Sequence, residues 1–262
     1  MDFQISTAGF IRFLERCRTG KLVKDLIIQA TSDMICAKFT DSNKLVYGEV
    51  YEKATKIAET GKVKVPSVEK LIACLKRSDV QMVRLKSVEG VFMVVDGGKV
   101  GNLNVKFTEI KDEESVESYV RIENSNIKFD HEKLDYLNGK IMYKNGFVVP
   151  TESLQTIVKD SKAFGMEFYN FKINKDGILV CEIEDKSTKD RFTRLVPTIE
   201  KIGGDFQPCS VGMGMKEIVS AIEDGFTTEK KEDPRRNVKI YFEEKSILLT
   251  DGVSYYYNFH TL

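Results

Sequence analysis

Four short stretches of this chain carry apolar residues at i, i+3, i+4, i+7 spacing, and the intervals between them constrain the fold more than any other feature. They are Phe10, Phe13, Leu14 and Cys17; Val68, Leu71, Ile72 and Leu75; Leu154, Ile157 and Val158, where Ser161 interrupts the pattern; and Met215, Ile218, Val219 and Ile222. Such spacing lays one stripe of a 3.6-residue-period helix against a core. From Phe10 to Val68 is 58 positions, from Leu154 to Met215 is 61, and the middle gap from Val68 to Leu154 is 86. Two similar intervals flanking a longer one predict an internal duplication, joined by a connector about 25 residues longer than the repeat needs.

Strand-like sequence follows each helix. After the first come Leu26–Ala30, Met34–Thr40 and 44–51, divided by the polar turns Thr31-Ser32-Asp33 and Asp41-Ser42-Asn43. After the second come 81–86, Val91–Asp96 and 102–109. The second half repeats the order with 167–173, 177–184 and 190–197, then 238–242, Ser246–Thr250 and 253–259. Thr7 is the expected N-cap of the first helix, Pro66 and Pro150 open the second and third, and Gly20, Gly165 and Gly225 close the first, third and fourth. Each half reads as strand, helix, three strands, helix, three strands. The predicted class is α+β, two similar domains of antiparallel sheet with two helices each. The domains span 1–110 and 128–262, and an acidic linker at 111–127 has an upper limit near 139.

Composition excludes several classes of protein. No apolar run approaches the roughly 20 residues of a membrane span, and charges at Asp2 and from Arg12 to Arg18 leave no signal-peptide core. Five cysteines without a C-x-x-C pair predict free thiols and an intracellular chain, of a cellular or a viral protein. The two histidines, His131 and His260, lie near no cysteine or carboxylate pattern that would suggest a metal site or a triad. Net charge is zero, yet residues 1–110 hold 18 Lys/Arg against 13 Asp/Glu and the remainder 22 against 27. The first half is thus the more attractive to a polyanion.

The order of elements, the helix signatures and the linker together resemble the two-domain sliding clamps of DNA replication, the proliferating cell nuclear antigen type and its phage counterparts. The segment Val149-Pro150-Thr151-Glu152-Ser153-Leu154-Gln155-Thr156-Ile157-Val158-Lys159-Asp160 is similar to the helix that opens the second domain of that family. Tyr255-Tyr256-Tyr257 resembles the paired tyrosines of its last strand. Departures are a longer 110–150 segment, a neutral rather than acidic chain, and no acidic tail after Leu262.

The resemblance implies a DNA clamp fold and a processivity factor without chemistry or cofactor of its own. Its expected partners are duplex DNA held without sequence preference, a DNA polymerase and a clamp loader, and its expected assembly is a homotrimeric ring. The DNA-facing cations would be Arg12, Arg16, Arg18 and Lys21 around the first helix and Lys70, Lys76 and Arg77 on the second. Lys159 and Lys162 would follow on the third, and Lys216 on the fourth, where Glu217 and Asp224 dilute the charge. The partner-peptide pocket would comprise Lys44, Leu45 and Val46, the linker residues Tyr119, Val120 and Ile122, and Tyr256, Tyr257 and Phe259. Ring closure would pair strand 102–109 of one subunit with 177–184 of the next. Two other readings stay open: a subunit of a heteromeric checkpoint or repair clamp, and a thiol enzyme using Cys209 beside Pro208.

Overall fold

A computed structural model describes residues 1–43, 45–77, 79–88, 91–96, 105–108, 128–130, 133–136, 141–185, 187–206, 208–212, 214–224, 237–243 and 246–259. The chain forms two compact units, Met1–Val120 and Arg121–Leu262.

In unit 1, β1 (Asp2–Ser6) leads into α1 (Thr7–Arg18), followed by β2 (Leu26–Ala30), β3 (Met34–Thr40) and β4 (Val46–Lys53). Then come β5 (Lys56–Glu59), β6 (Gly61–Val65), α2 (Val68–Lys76), β7 (Met82–Val88), β8 (Val91–Asp96) and β9 (Val105–Thr108). Two antiparallel runs result, β5-β1-β7-β8-β9 and β4-β3-β2-β6. Both helices are capped by serines: Ser6 Oγ accepts from Gly9 N and Ser67 Oγ from Lys70 N. The expected cap Thr7 is instead the first helical residue, its hydroxyl donating to Val80 O.

The core lies between these layers. Phe3 and Ile5 of β1, Phe10, Phe13, Leu14 and Cys17 of α1, and Val68, Leu71, Ile72 and Leu75 of α2 are all buried. Packing fixes Gly48 in β4, because a Cβ there would meet the ring of its cross-strand partner Phe39 at 2.2 Å.

Unit 2 begins with a small antiparallel meander, β10 (Lys128–Asp130), β11 (Lys133–Tyr136) and β12 (Ile141–Met142), within the longer 110–150 segment. The repeat then restarts: β13 (Gly146–Pro150), α3 (Thr151–Phe164), β14 (Phe168–Ile173), β15 (Leu179–Glu184), β16 (Arg191–Leu195), β17 (Glu200–Ile202), β18 (Cys209–Val211), α4 (Met215–Asp224), β19 (Asn237–Glu243), β20 (Ser246–Thr250) and β21 (Ser254–Phe259). Its runs, β17-β13-β19-β20-β21 and β16-β15-β14-β18, match those of unit 1 strand for strand. Phe147, Phe171, Phe206 and Phe242 form its aromatic core, with centroids 4.8–6.3 Å apart between Phe242 and each of the others.

The α+β class, the duplication and the two helices per repeat agree with the sequence expectation. Each repeat has two more strands than expected, β5 and β6 in the first and β17 and β18 in the second. Hairpin turns form where expected. Asn174 Oδ1 accepts from Asp176 N and Ile178 N, and Asp251 Oδ1 accepts from Val253 N and Ser254 N.

Candidate nucleic-acid interface

In unit 1, α2 shows solvent Glu69, Lys70, Ala73, Lys76 and Arg77, the face opposite its buried stripe. Lys70 and Arg77 make no ion pair among the described residues. Lys24, which sequence reasoning passed over, stands beside the start of α2. It is exposed, and its carbonyl accepts the first N–H of α2 from Val68 at 2.9 Å. Lys21 is exposed beyond α1 in a left-handed conformation, φ 99°.

The first helix differs from its expected orientation. It packs against α2 and also against β4, so more of its circumference is covered than one apolar stripe. Arg12 reaches toward the sheet, with Nη2 3.5 Å from Glu52 Oε1. Arg16 is only 3% exposed. Glu15, also buried, draws in two further cations: Lys76 Nζ lies 2.7 Å from its Oε1 and Arg18 Nη2 2.9 Å from its Oε2. The outward direction expected for Arg12 and Arg16 is therefore corrected. A helical wheel drawn on one stripe does not register a second packing partner.

In unit 2, α3 exposes Lys159 and Lys162, and α4 exposes Lys216. None of the three makes an ion pair among the described residues. A hollow of about 250 Å³ between the end of α3 and the start of α4 gathers Lys162 and Lys216 with Glu167 and Glu217. Asp160 is drawn away from this face by Arg194 of β16. Ser161, the break in the apolar stripe, is buried; its hydroxyl donates to Met166 O and accepts from Tyr169 Oη at 2.7 Å. Burial pushes the Tyr169 phenol up to about 12, so it remains a hydrogen-bond donor at neutral pH.

The residues named for a peptide pocket are not alike. Asp41 accepts from the backbone N–H groups of Asn43, Leu45 and Val46 and so fixes the loop before β4. Leu45 is half-buried on that loop, whereas Val46 is core, as are Tyr256 and Tyr257 of β21. Lys44, Tyr119, Val120, Ile122 and the linker 111–127 lie outside the described residues, as does the side chain of Phe259.

The strands expected to close a ring need one correction. β9 ends its sheet, as an exposed edge would. β15, however, is interior, paired with β14 on one side and β16 on the other. The edge is β16, with Phe192 stacked on the exposed Phe164 (4.9 Å) and Leu195 59% exposed. The charges Arg191 and Arg194 set among strand-forming residues of 191–195 are the signal that could have identified it, because edges carry such charges.

Cys209 is buried, its thiol donates to Ser246 O, and burial pushes its pKa up to about 12. A thiol held protonated in this way is a poor nucleophile. Among the described residues no helix is long and apolar enough to cross a membrane.

No protein-family model and no curated protein matches the chain. Solved structures do, along almost its whole length. Proliferating cellular nuclear antigen from Entamoeba histolytica is 11% identical, with TM-score 0.64 over 100% of this chain and 98% of that one. The PCNA2-PCNA3 complex from Sulfolobus tokodaii gives 15% identity and TM-score 0.65, covering 99% and 98%. A. fulgidus PCNA bound to the C-terminal region of FEN-1 gives 13% and 0.67, covering 99% and 97%. The chain has the two-domain α+β fold of the PCNA-type sliding clamps.

Proposed function

We propose that this chain is a DNA polymerase processivity factor, a sliding clamp that closes around duplex DNA and tethers polymerase and other partners. The observation that carries the reading is the pairing of a complete clamp fold with helix faces that leave Lys70, Arg77, Lys159, Lys162 and Lys216 exposed and unpaired among the described residues. Lysine and arginine contacts to phosphate are independent of sequence and individually weak. A sliding protein needs that weakness, since topology and not affinity keeps it on the strand. The protein's own part is to hold and release, with no bond made or broken.

Three copies form the ring in this reading, each joining β9 to β16 of the next. Two observations support that pairing. Both strands end their sheets, and β16 leaves apolar side chains on both of its faces, Phe192 stacked on Phe164 of α3 on one and Leu195, 59% exposed, on the other. Strand addition would satisfy its outer backbone groups and cover part of that apolar surface. A clamp loader opens the ring, and partner peptides dock beside the loop that Asp41 holds around Leu45. The structure of A. fulgidus PCNA with a FEN-1 segment is a precedent for peptide binding on this fold.

The test is twofold. Mass in solution should be near three times 29.8 kDa. Protein loaded on nicked circular DNA should be lost when the circle is cut. A stable monomer, or retention on linear DNA with free ends, would overturn the assignment.

A further inference from the structure

We propose that Glu15 sets the strength of the clamp's grip by withholding Lys76 and Arg18 from the duplex, an inference that rests on the DNA-facing role given above to α2. Lys76 lies on the same exposed face as Lys70 and Arg77, and its side chain is 57% exposed. By position it belongs to the phosphate-facing set. By contact it does not, because its ammonium donates to Glu15 Oε1 at 2.7 Å.

That carboxylate side chain is 8% exposed, and Arg18 Nη2 approaches its other oxygen to 2.9 Å, outside hydrogen-bond alignment. Two cations are thus anchored on one buried anion. Coulomb attraction near a protein surface is roughly fourfold stronger than across bulk water at equal separation. A phosphate on a moving duplex, hydrated and changing partners, therefore competes poorly for Lys76. Lys70 and Arg77 face no such rival among the described residues. The helix pair presents fewer available charges than its sequence counts, which suits a protein that must slide.

The consequence is measurable with the full-length protein and a short fluorescent duplex, titrated across roughly 50–200 mM salt. Glu15→Gln keeps the shape and an acceptor for Lys76 but removes the charge. It should steepen the salt dependence by about 0.9 in log–log slope per cation released, tightening binding about eightfold per contact near 0.1 M salt. Lys76→Gln in the natural background should change the slope less than half as much as Lys70→Gln, and this surface variant does not depend on how well Glu15→Gln folds. In the Glu15→Gln background Lys76→Gln should instead remove most of the gain, while the loss from Lys70→Gln stays the same in both.

Equal effects of Lys76→Gln and Lys70→Gln in both backgrounds, or an unchanged slope in a folded Glu15→Gln protein, would overturn the restraining role while leaving the DNA face intact. A natural protein indifferent to Lys70→Gln and Arg77→Gln would remove the DNA face itself, and the role of Glu15 with it.

Discussion

The two repeats share a topology strand for strand and differ in what they do with equivalent positions. The fourth strand of the first repeat, β4, buries Val46, Gly48, Glu49 and Val50, whereas its counterpart β16 alternates exposed with half-buried residues. On the first helix of the first repeat the charged side chains turn inward or pair with carboxylates; on α3 Lys159 and Lys162 are exposed and make no ion pair among the described residues. Duplication therefore conserved the layers while the charges and edges diverged. The first helix of the basic first half thus holds its cations in internal pairs, whereas its counterpart in the nominally diluted second half shows its lysines to solvent.

The contrast between β4 and β16 predicts the largest effect. Phe192→Asp combined with Leu195→Asp should abolish self-association while leaving the circular dichroism spectrum unchanged, since β16 is open to solvent in the single chain. The equivalent insult on β4, Val50→Asp, buries an unpaired charge and should unfold the first unit. Sedimentation and thermal melts separate the two. A trimer that survives both β16 charges would show that the open edge is not where copies meet.

A smaller effect is expected at the stripe position that α1 and α3 fill differently. Cys17 and Ser161 occupy the same offset, both buried. Ser161 is held between Met166 O and the Tyr169 hydroxyl, so Ser161→Ala strands a buried phenol and should cost about 1–3 kcal/mol. Cys17→Ser places a hydroxyl in an apolar site and should cost a similar amount, about 1–3 kcal/mol. Melting temperatures check both. If either change is silent, the two stripes are interchangeable and the polar break in α3 is not structural.

Much of this was legible in the chain because it is local. The four stripes, their intervals and the turn residues at Asn174 and Asp251 depend on neighbours within a few positions, and they appear where expected. What escaped depends on distant partners. β5 and β17 are three or four residues long and carry charges, so nothing but their pairing with β1 and β13 marks them as strands. The Glu15–Lys76 pair spans 61 positions and leaves no trace in helical spacing. The resemblance puts the closing edge at 177–184, yet β15, with its stronger apolar signal, is the strand buried between two others.

The least effect expected, and the sharpest comparison, lies just past the first helix of each repeat. Gly165 closes α3 at φ 67°, with nothing within 4 Å of where a Cβ would sit. At the same offset in the first repeat stands Lys21, at φ 99° and exposed. A side chain in that region costs about 1–3 kcal/mol, part of which glycine returns through its greater freedom in the unfolded chain. Lys21→Gly should therefore stabilise the protein by about 1 kcal/mol, a rise of about 2–4 °C in melting temperature for a chain of this size. It should also weaken duplex binding by about one phosphate contact, read as a salt slope shallower by about 0.9. Gly165→Lys is the mirror experiment: with open space around the Cβ, its loss of stability reports backbone strain alone. A Lys21→Gly protein that gains stability without losing slope would show that the strained lysine is an accident of the turn, whereas loss of both would mean that Lys21 makes a stabilising contact the backbone angle alone does not reveal.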